Sequence, residues 1–110
     1  MTLSSHVLDA TRGRPATGVR VRWDRLDAGR WTEVASAVTD DDGRVTDWGG
    51  DSPGAGTHRV VCGSGDYFAA RHVETFYPEV VVVFAVTDPT QHHHVPLLLS
   101  PFAYSTYRGS

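Results

Sequence analysis

The sequence predicts a mainly β fold, a sandwich of six or seven short strands carrying one short helix. Three observations support this. Short runs that alternate apolar and polar residues, or are apolar throughout, recur along the chain; Asp, Gly and Pro punctuate the gaps; and a single stretch, Gly65–His72, shifts to helix-forming composition. At 110 residues such a chain makes one domain, residues 1–110, that buries roughly two-thirds of its unfolded surface. No repeat or linker divides it.

Taken in order, Ser5-His6-Val7-Leu8-Asp9 is an alternating, mostly apolar segment in which His6 reads as a residue on a strand face. Val19-Arg20-Val21-Arg22-Trp23 alternates strictly, so the valines and Trp23 share one face and the arginines the other. Trp31 to Val38 is a weaker run that pairs with it, and the intervening DRLDAGR, 24–30, reads as a turn. Asp40-Asp41-Asp42-Gly43 is a second turn, because Asp tolerates the left-handed region and Gly enters it freely. The Gly/Pro-rich GGDSPGAG, 49–56, reads as a loop leading into a strand from Thr57 to Cys62.

In Gly65–His72, Asp66 is placed to cap a helix, and Ala69, Ala70 and Arg71 favour one. Pro78 then breaks the chain before Val80–Val86, whose β-branched density predicts a strand buried on both faces. Beyond the turn TDPTQ, His92–Leu99 and Phe102–Tyr107 form two more strands, separated by Ser100-Pro101. A sandwich leaves edge strands that must be blunted, covered or paired with another copy. Such pairing would hold the terminal YSTYRGS, whose aromatic and hydroxyl alternation reads as an ordered end.

Composition excludes several classes of function. Apolar residues make up 40% and charged residues 21%, values of a globular protein and not of a disordered chain or a membrane span. Net charge is −3, all ten cationic side chains are arginine, and they form no cluster, so a nucleic-acid footprint is missing. The lack of lysine removes Schiff-base chemistry. Cys62 is the sole cysteine, cannot form an internal disulfide, and reads as a buried thiol after Val60-Val61. Residues 1–10 lack the basic start and long apolar run of a secretory signal, which makes the cytoplasm the expected compartment.

Three places could carry chemistry. In His92-His93-His94, strand alternation puts His92 and His94 on one face and His93 on the other. Two imidazoles at i and i+2 can bind zinc, but a zinc site wants a third or fourth protein ligand, for which only His6, His58 or His72 are at hand. No metal is therefore expected, and with a reference pKa of about 6.5 the histidines are suited instead to acid/base work. His6 is the second place. Arg44, directly after the Asp/Gly turn, is the third, and by itself reads first as a solvated hairpin arginine. Nucleophile elbow, phosphate loop and HExxH motif are all lacking, so covalent catalysis has no strong candidate.

Four segments taken together, SHVLDATRGRPATGVRV at 5–21, TDDDGR at 39–44, FYPEVVVVF at 76–84 and HHHVPLLLSPFAYSTYRGS at 92–110, resemble the 5-hydroxyisourate hydrolase family, the transthyretin-like enzymes of urate breakdown. The resemblance covers essentially the whole chain, and the terminal Tyr-Arg-Gly-Ser is its most specific feature. It implies a transthyretin-like β-sandwich of two four-stranded sheets with one short helix. It also implies a homotetramer in which two dimers leave a central channel, with the sites at the dimer–dimer interface. The implied reaction is metal-independent and cofactor-free hydrolysis of 5-hydroxyisourate to 2-oxo-4-hydroxy-4-carboxy-5-ureidoimidazoline. The implied catalytic residues are His6, Arg44, His94 and Ser110, and the implied substrate-binding residues are His6, Arg44, His92 and Tyr107. Position 93, where the family usually has tyrosine, is His93, expected at the surface or a subunit interface. The competing reading is a transthyretin-like carrier of a small molecule in the same channel.

Overall fold

A computed structural model describes residues 2–48 and 53–110, so the first half of the 49–56 loop, residues 49–52, lies outside the described residues. In chain order the elements are β1 (Thr2–Asp9), β2 (Arg14–Pro15), β3 (Arg20–Asp27), β4 (Arg30–Val38), β5 (Arg44–Val45), β6 (Gly56–Cys62), α1 (Ser64–Ala69), β7 (Val80–Val86), β8 (His92–Ser100) and β9 (Ala103–Thr106). They form two sheets. One runs β2-β1-β8-β9, with the two-residue β5 added to the β2 side of β1, and the other runs β4-β3-β6-β7. Each expected four-stranded path is present; β5 is an addition that the turn at 40–43 brings with it.

Alternation builds the core. In β1, Leu3, Ser5, Val7 and Asp9 point inward, leaving Ser4, His6 and Leu8 half-buried on the outer face. Val7, Leu97 and Leu99 of the first sheet meet Val21, Val60 and Val80 of the second, with Trp23 and Trp48 edge to face between them. Two inward polar groups of the first sheet are held by hydrogen bonds. Ser5 Oγ donates to the Val95 carbonyl, while Asp9 accepts the Tyr67 hydroxyl at 2.8 Å and the backbone N–H groups of Thr11 and Arg12.

The structure corrects four expectations. The turn read across 24–30 shrinks to Ala28-Gly29, both at positive φ as a two-residue hairpin requires. The strands run through the charged residues because Asp24, though buried, is held by Arg22 at 2.8 Å and Arg59 at 2.7 Å. Helix α1 starts two residues after Cys62, with Gly63 at its N-cap position. Asp66 lies in the first turn and does not cap it; there its charge faces the helix dipole. Strand β7 is an edge and not a doubly buried strand: Val80 and Val86 are buried, but Val83 is 57% exposed. β-branched density reports fitness for a pleated surface, not the number of layers that cover it. Finally, His93 lies inside the sandwich, 5% exposed, and donates from Nδ1 to the Gln91 carbonyl. Alternation does turn it away from His92 and His94, toward the core. Cys62 is buried as expected, and its thiol is pushed up to about 12 by that burial.

Candidate active site

The outer face of the five-stranded sheet collects the histidines. Strands β1 and β8 are parallel, in a register that sets Thr2 beside His92, Ser4 beside His94 and His6 beside Pro96. Because alternate residues share a face, Ser4, His6, His92 and His94 all point outward. Arg44 joins them from the other side, since the antiparallel β1–β5 pair places it directly opposite His6.

The turn before Arg44 is built to deliver it. Asp40 Oδ1 accepts the N–H groups of Asp42 and Arg44, each at 2.9 Å, and Gly43 N–H donates to the Asp40 carbonyl. Gly43 adopts φ +74°, and a Cβ there would overlap the Val7 carbonyl. The turn thus lies tight against β1, with Val7 N–H donating to Gly43 O at 2.7 Å. Glycine is demanded here twice, by conformation and by space. The same turn orients His6, whose Nε2 is 2.9 Å from the Asp42 carbonyl. A carbonyl only accepts, so Nε2 carries the hydrogen and Nδ1 is the basic nitrogen of the neutral ring.

His94 is half-buried. Burial pushes its pKa below the ordinary histidine value, and the positive charge of Arg44, then His6 and His92, adds to that. Both effects favour the neutral ring. Its Nδ1 lies 2.7 Å from Ser4 Oγ, while Nε2 has no hydrogen-bond partner among the described residues. His92, more exposed, has both ring nitrogens engaged, Nδ1 by Thr2 Oγ1 and Nε2 by Ser4 Oγ.

The C-terminal segment is pinned to His94. Gly109 N–H donates to the His94 carbonyl at 3.0 Å, and a Cβ at Gly109 would overlap Cδ2 of the imidazole. Beside this contact, Tyr107 and His94 share a cleft of about 310 Å3 whose other wall is Val82–Ala85 of β7. Tyr107 is 62% exposed and Ser110 is exposed. A larger hollow of about 450 Å3 lies on the four-stranded sheet among Arg20, Arg22, Glu33 and Glu79, away from the histidines. Of the other histidines, His58 sits in the core, accepting Trp23 Nε1–H and donating to the Gly54 carbonyl, while His72 follows α1 at positive φ.

Sequence reasoning thus identified His6, Arg44, His92 and His94, which the fold brings to one face. It missed Thr2, Ser4, the Asp42 carbonyl and Gly109. Ser4 and His6 form an i, i+2 pair, but the importance of Ser4 depends on the register with β8, which no local pattern carries.

A neutral imidazole with a free nitrogen, a second imidazole of fixed tautomer and an exposed guanidinium can activate water and stabilise an anion, the needs of hydrolysis at a carbonyl. Comparison with known proteins agrees with that chemistry. The HIUase/Transthyretin family model matches residues 3–109. A probable 5-hydroxyisourate hydrolase of Caenorhabditis elegans is 49% identical over 99% of this chain and 82% of its own length. The structure of Klebsiella pneumoniae 5-hydroxyisourate hydrolase superposes with a TM-score of 0.87 at 34% identity, covering 100% of both chains. Sea bream transthyretin, solved in complex with thyroxine, superposes with a TM-score of 0.90 at 31% identity, covering 99% of this chain and 95% of that one.

Proposed function

This chain belongs to the HIUase/Transthyretin family, and on that premise we propose that it hydrolyses 5-hydroxyisourate to 2-oxo-4-hydroxy-4-carboxy-5-ureidoimidazoline, a step of urate catabolism. The observation that carries the reading is the convergence of His6, Arg44 and His94 on one sheet face through the β1–β5 and β1–β8 registers.

His94 is the proton carrier. Its neutral ring takes a proton from water at Nε2 as the water oxygen bonds to the ring carbonyl carbon. It returns that proton to the ring nitrogen as the carbon–nitrogen bond breaks. Nδ1 of His6 accepts a hydrogen bond from the same water and aims it, its orientation held by the Asp42 carbonyl. The Arg44 guanidinium meets the oxyanion with a planar fork of donors and also binds the oxygen-rich heterocycle. Tyr107 binds substrate, and Ser110 completes the site with its hydroxyl and carboxylate. With water activation, carbonyl polarisation and proton return all covered by side chains, the chemistry needs neither metal nor other cofactor.

The assembly that suits this site is a homotetramer. The histidine face is an uncovered sheet surface, and β7 and β9 are free edges, Val83 and Tyr104 among their exposed apolar groups. Edge pairing makes dimers, and dimers meeting face to face enclose the sites in a channel and bring Tyr107 and Ser110 over them. A cytoplasmic placement and a single domain spanning 1–110 belong to the same reading. A carrier function uses the same fold, as the transthyretin similarity illustrates, but has no use for a free imidazole nitrogen beside a guanidinium.

The test is ultraviolet absorbance of freshly generated 5-hydroxyisourate with and without the protein, against its unaided decay. Acceleration lost in His6→Ala and His94→Ala supports the reading. Decay at the unaided rate in the presence of folded protein overturns it in favour of the carrier.

A further inference from the structure

Behind His94 lies a line of hydrogen bonds that the catalytic scheme does not use. Ser4 Oγ lies 2.7 Å from His94 Nδ1 and 2.8 Å from His92 Nε2, and Thr2 Oγ1 lies 2.5 Å from His92 Nδ1. Four side chains from two strands therefore form one continuous chain, Thr2–His92–Ser4–His94. The parallel register builds it, because Thr2 and Ser4 stand directly beside His92 and His94.

Proton counting decides what the chain does. Each contact needs one hydrogen, each neutral imidazole supplies one, and each hydroxyl supplies one and can accept two. With neutral rings the three contacts can be satisfied in three ways: two run in opposite directions along the chain, and in the third Ser4 accepts from both rings, which also leaves His94 as the Nδ1–H tautomer. In one direction, His94 Nδ1–H donates to Ser4, Ser4 O–H donates to His92 Nε2, and His92 Nδ1–H donates to Thr2. That direction leaves a lone pair on His94 Nε2. The reverse direction, from Thr2 inward, puts the hydrogen on His94 Nε2 and removes the base. The Nδ1–H tautomer of His92 thus requires the Nδ1–H tautomer of the catalytic ring, one hydroxyl away.

We infer that Ser4 and His92 are positioning residues of the hydrolase: together they hold His94 in its Nδ1–H tautomer, so that the basic nitrogen faces the substrate. This rests on the hydrolase reading above and deepens it. When His94 takes the proton from water, its Nδ1–H already has an acceptor in Ser4, whose own hydrogen is already committed to His92, so the imidazolium forms without any group having to turn. A third group that orients a catalytic imidazole is a recurrent device in hydrolases. Here a serine and a second histidine stand in that place and no carboxylate does. His92, with both nitrogens engaged, acts through Ser4 and not on substrate.

The test uses full-length protein labelled with 15N-histidine, in which ring 15N–1H correlations report each tautomer, together with steady-state kinetics on 5-hydroxyisourate. His94 is expected as the neutral Nδ1–H tautomer in the wild type and in Ser4→Thr, and as a mixture in Ser4→Ala. Ser4→Ala should lower kcat on the order of tenfold or more at nearly constant KM, by analogy with groups that orient metal-ligating imidazoles, and Ser4→Thr should restore it. His92→Phe, which strips Ser4 of its far partner and carries the test should Ser4→Ala not fold, should lower kcat in the same way. A raised KM at unchanged kcat in His92→Phe would make His92 a substrate contact and overturn the inference. So would an Nε2–H tautomer of His94 in the wild type, or identical His94 signals in wild type and Ser4→Ala. The spectra are read without substrate, so a protein inactive on 5-hydroxyisourate would overturn the hydrolase reading while the tautomers still decided the Ser4 bond.

Discussion

Replacing Gly109 by alanine adds one methyl group and should separate activity from folding. Gly109 is not among the glycines at positive φ, so alanine suits its backbone and the whole effect is steric. The new Cβ would overlap Cδ2 of His94 and come within 3.0 Å of Cγ and 3.3 Å of Cβ of the same side chain. Either the imidazole moves or the tail does. If the tail moves, it gives up the 3.0 Å bond from Gly109 N–H to the His94 carbonyl, a loss of about 1 kcal/mol for one partly exposed backbone hydrogen bond. If the ring moves, the base leaves its aim, and a displacement of about 1 Å at a reacting group costs roughly a hundredfold in rate. That factor corresponds to about 2.7 kcal/mol of activation free energy. The expected outcome is a urea midpoint close to wild type and a kcat/KM for 5-hydroxyisourate lower by about two orders of magnitude. Wild-type kcat/KM in a folded Gly109→Ala protein would refute the claim that the tail positions the imidazole. A collapse of stability would refute the claim that Gly109 serves the site and not the fold.

The other predictions address charge, tail and pH. Arg44→Ala should lose on the order of 2–4 kcal/mol of transition-state stabilisation, the cost of removing an oxyanion donor, and an unchanged kcat/KM would remove Arg44 from the mechanism. Deleting Tyr107 to Ser110 should abolish turnover and leave the circular dichroism of the fold intact, because β9 ends at Thr106; full activity in the truncated protein would sink the role given to the tail. Burial lowers the pKa of His58, which is held between Trp23 and Gly54. The folded state therefore prefers the neutral ring, and stability is fully present above the unfolded value of about 6.5. It falls as pH drops from there through the lowered folded value. Urea midpoints measured from pH 8 to pH 5 should show that fall and should flatten in His58→Gln; an equal slope in the variant would assign the acid sensitivity to other groups.

Much of this protein was legible in its sequence, for physical reasons. Alternation in Val19–Trp23 fixes which face is buried, since a one-residue slip would turn every side chain over. Asp40–Gly43 announces its turn because the geometry needs residues that tolerate positive φ, and Gly43 occupies that position. Strand periodicity alone set His92 and His94 together and His93 apart. The motifs at 5–21, 39–44, 76–84 and 92–110 carried the family and with it His6, Arg44 and His94 as candidates.

Tertiary structure decided what depends on pairing across the chain. Whether Val80–Val86 was covered on two faces depended on how many layers pack against its sheet, which local β propensity does not encode. Asp24 looked like a turn residue until Arg59, 35 positions away, was found to neutralise it within a strand. His93 pointed inward because its strand packs that face on the core, a matter of layer order and not of alternation. Above all, Ser4 lies 90 residues from His94 in sequence, and only the parallel register of β1 on β8 brings its hydroxyl onto the imidazole. Sequence patterns are local because backbone geometry and side-chain periodicity act over a few residues. A proton held on one nitrogen of one ring is set by neighbours that only the packed chain can supply.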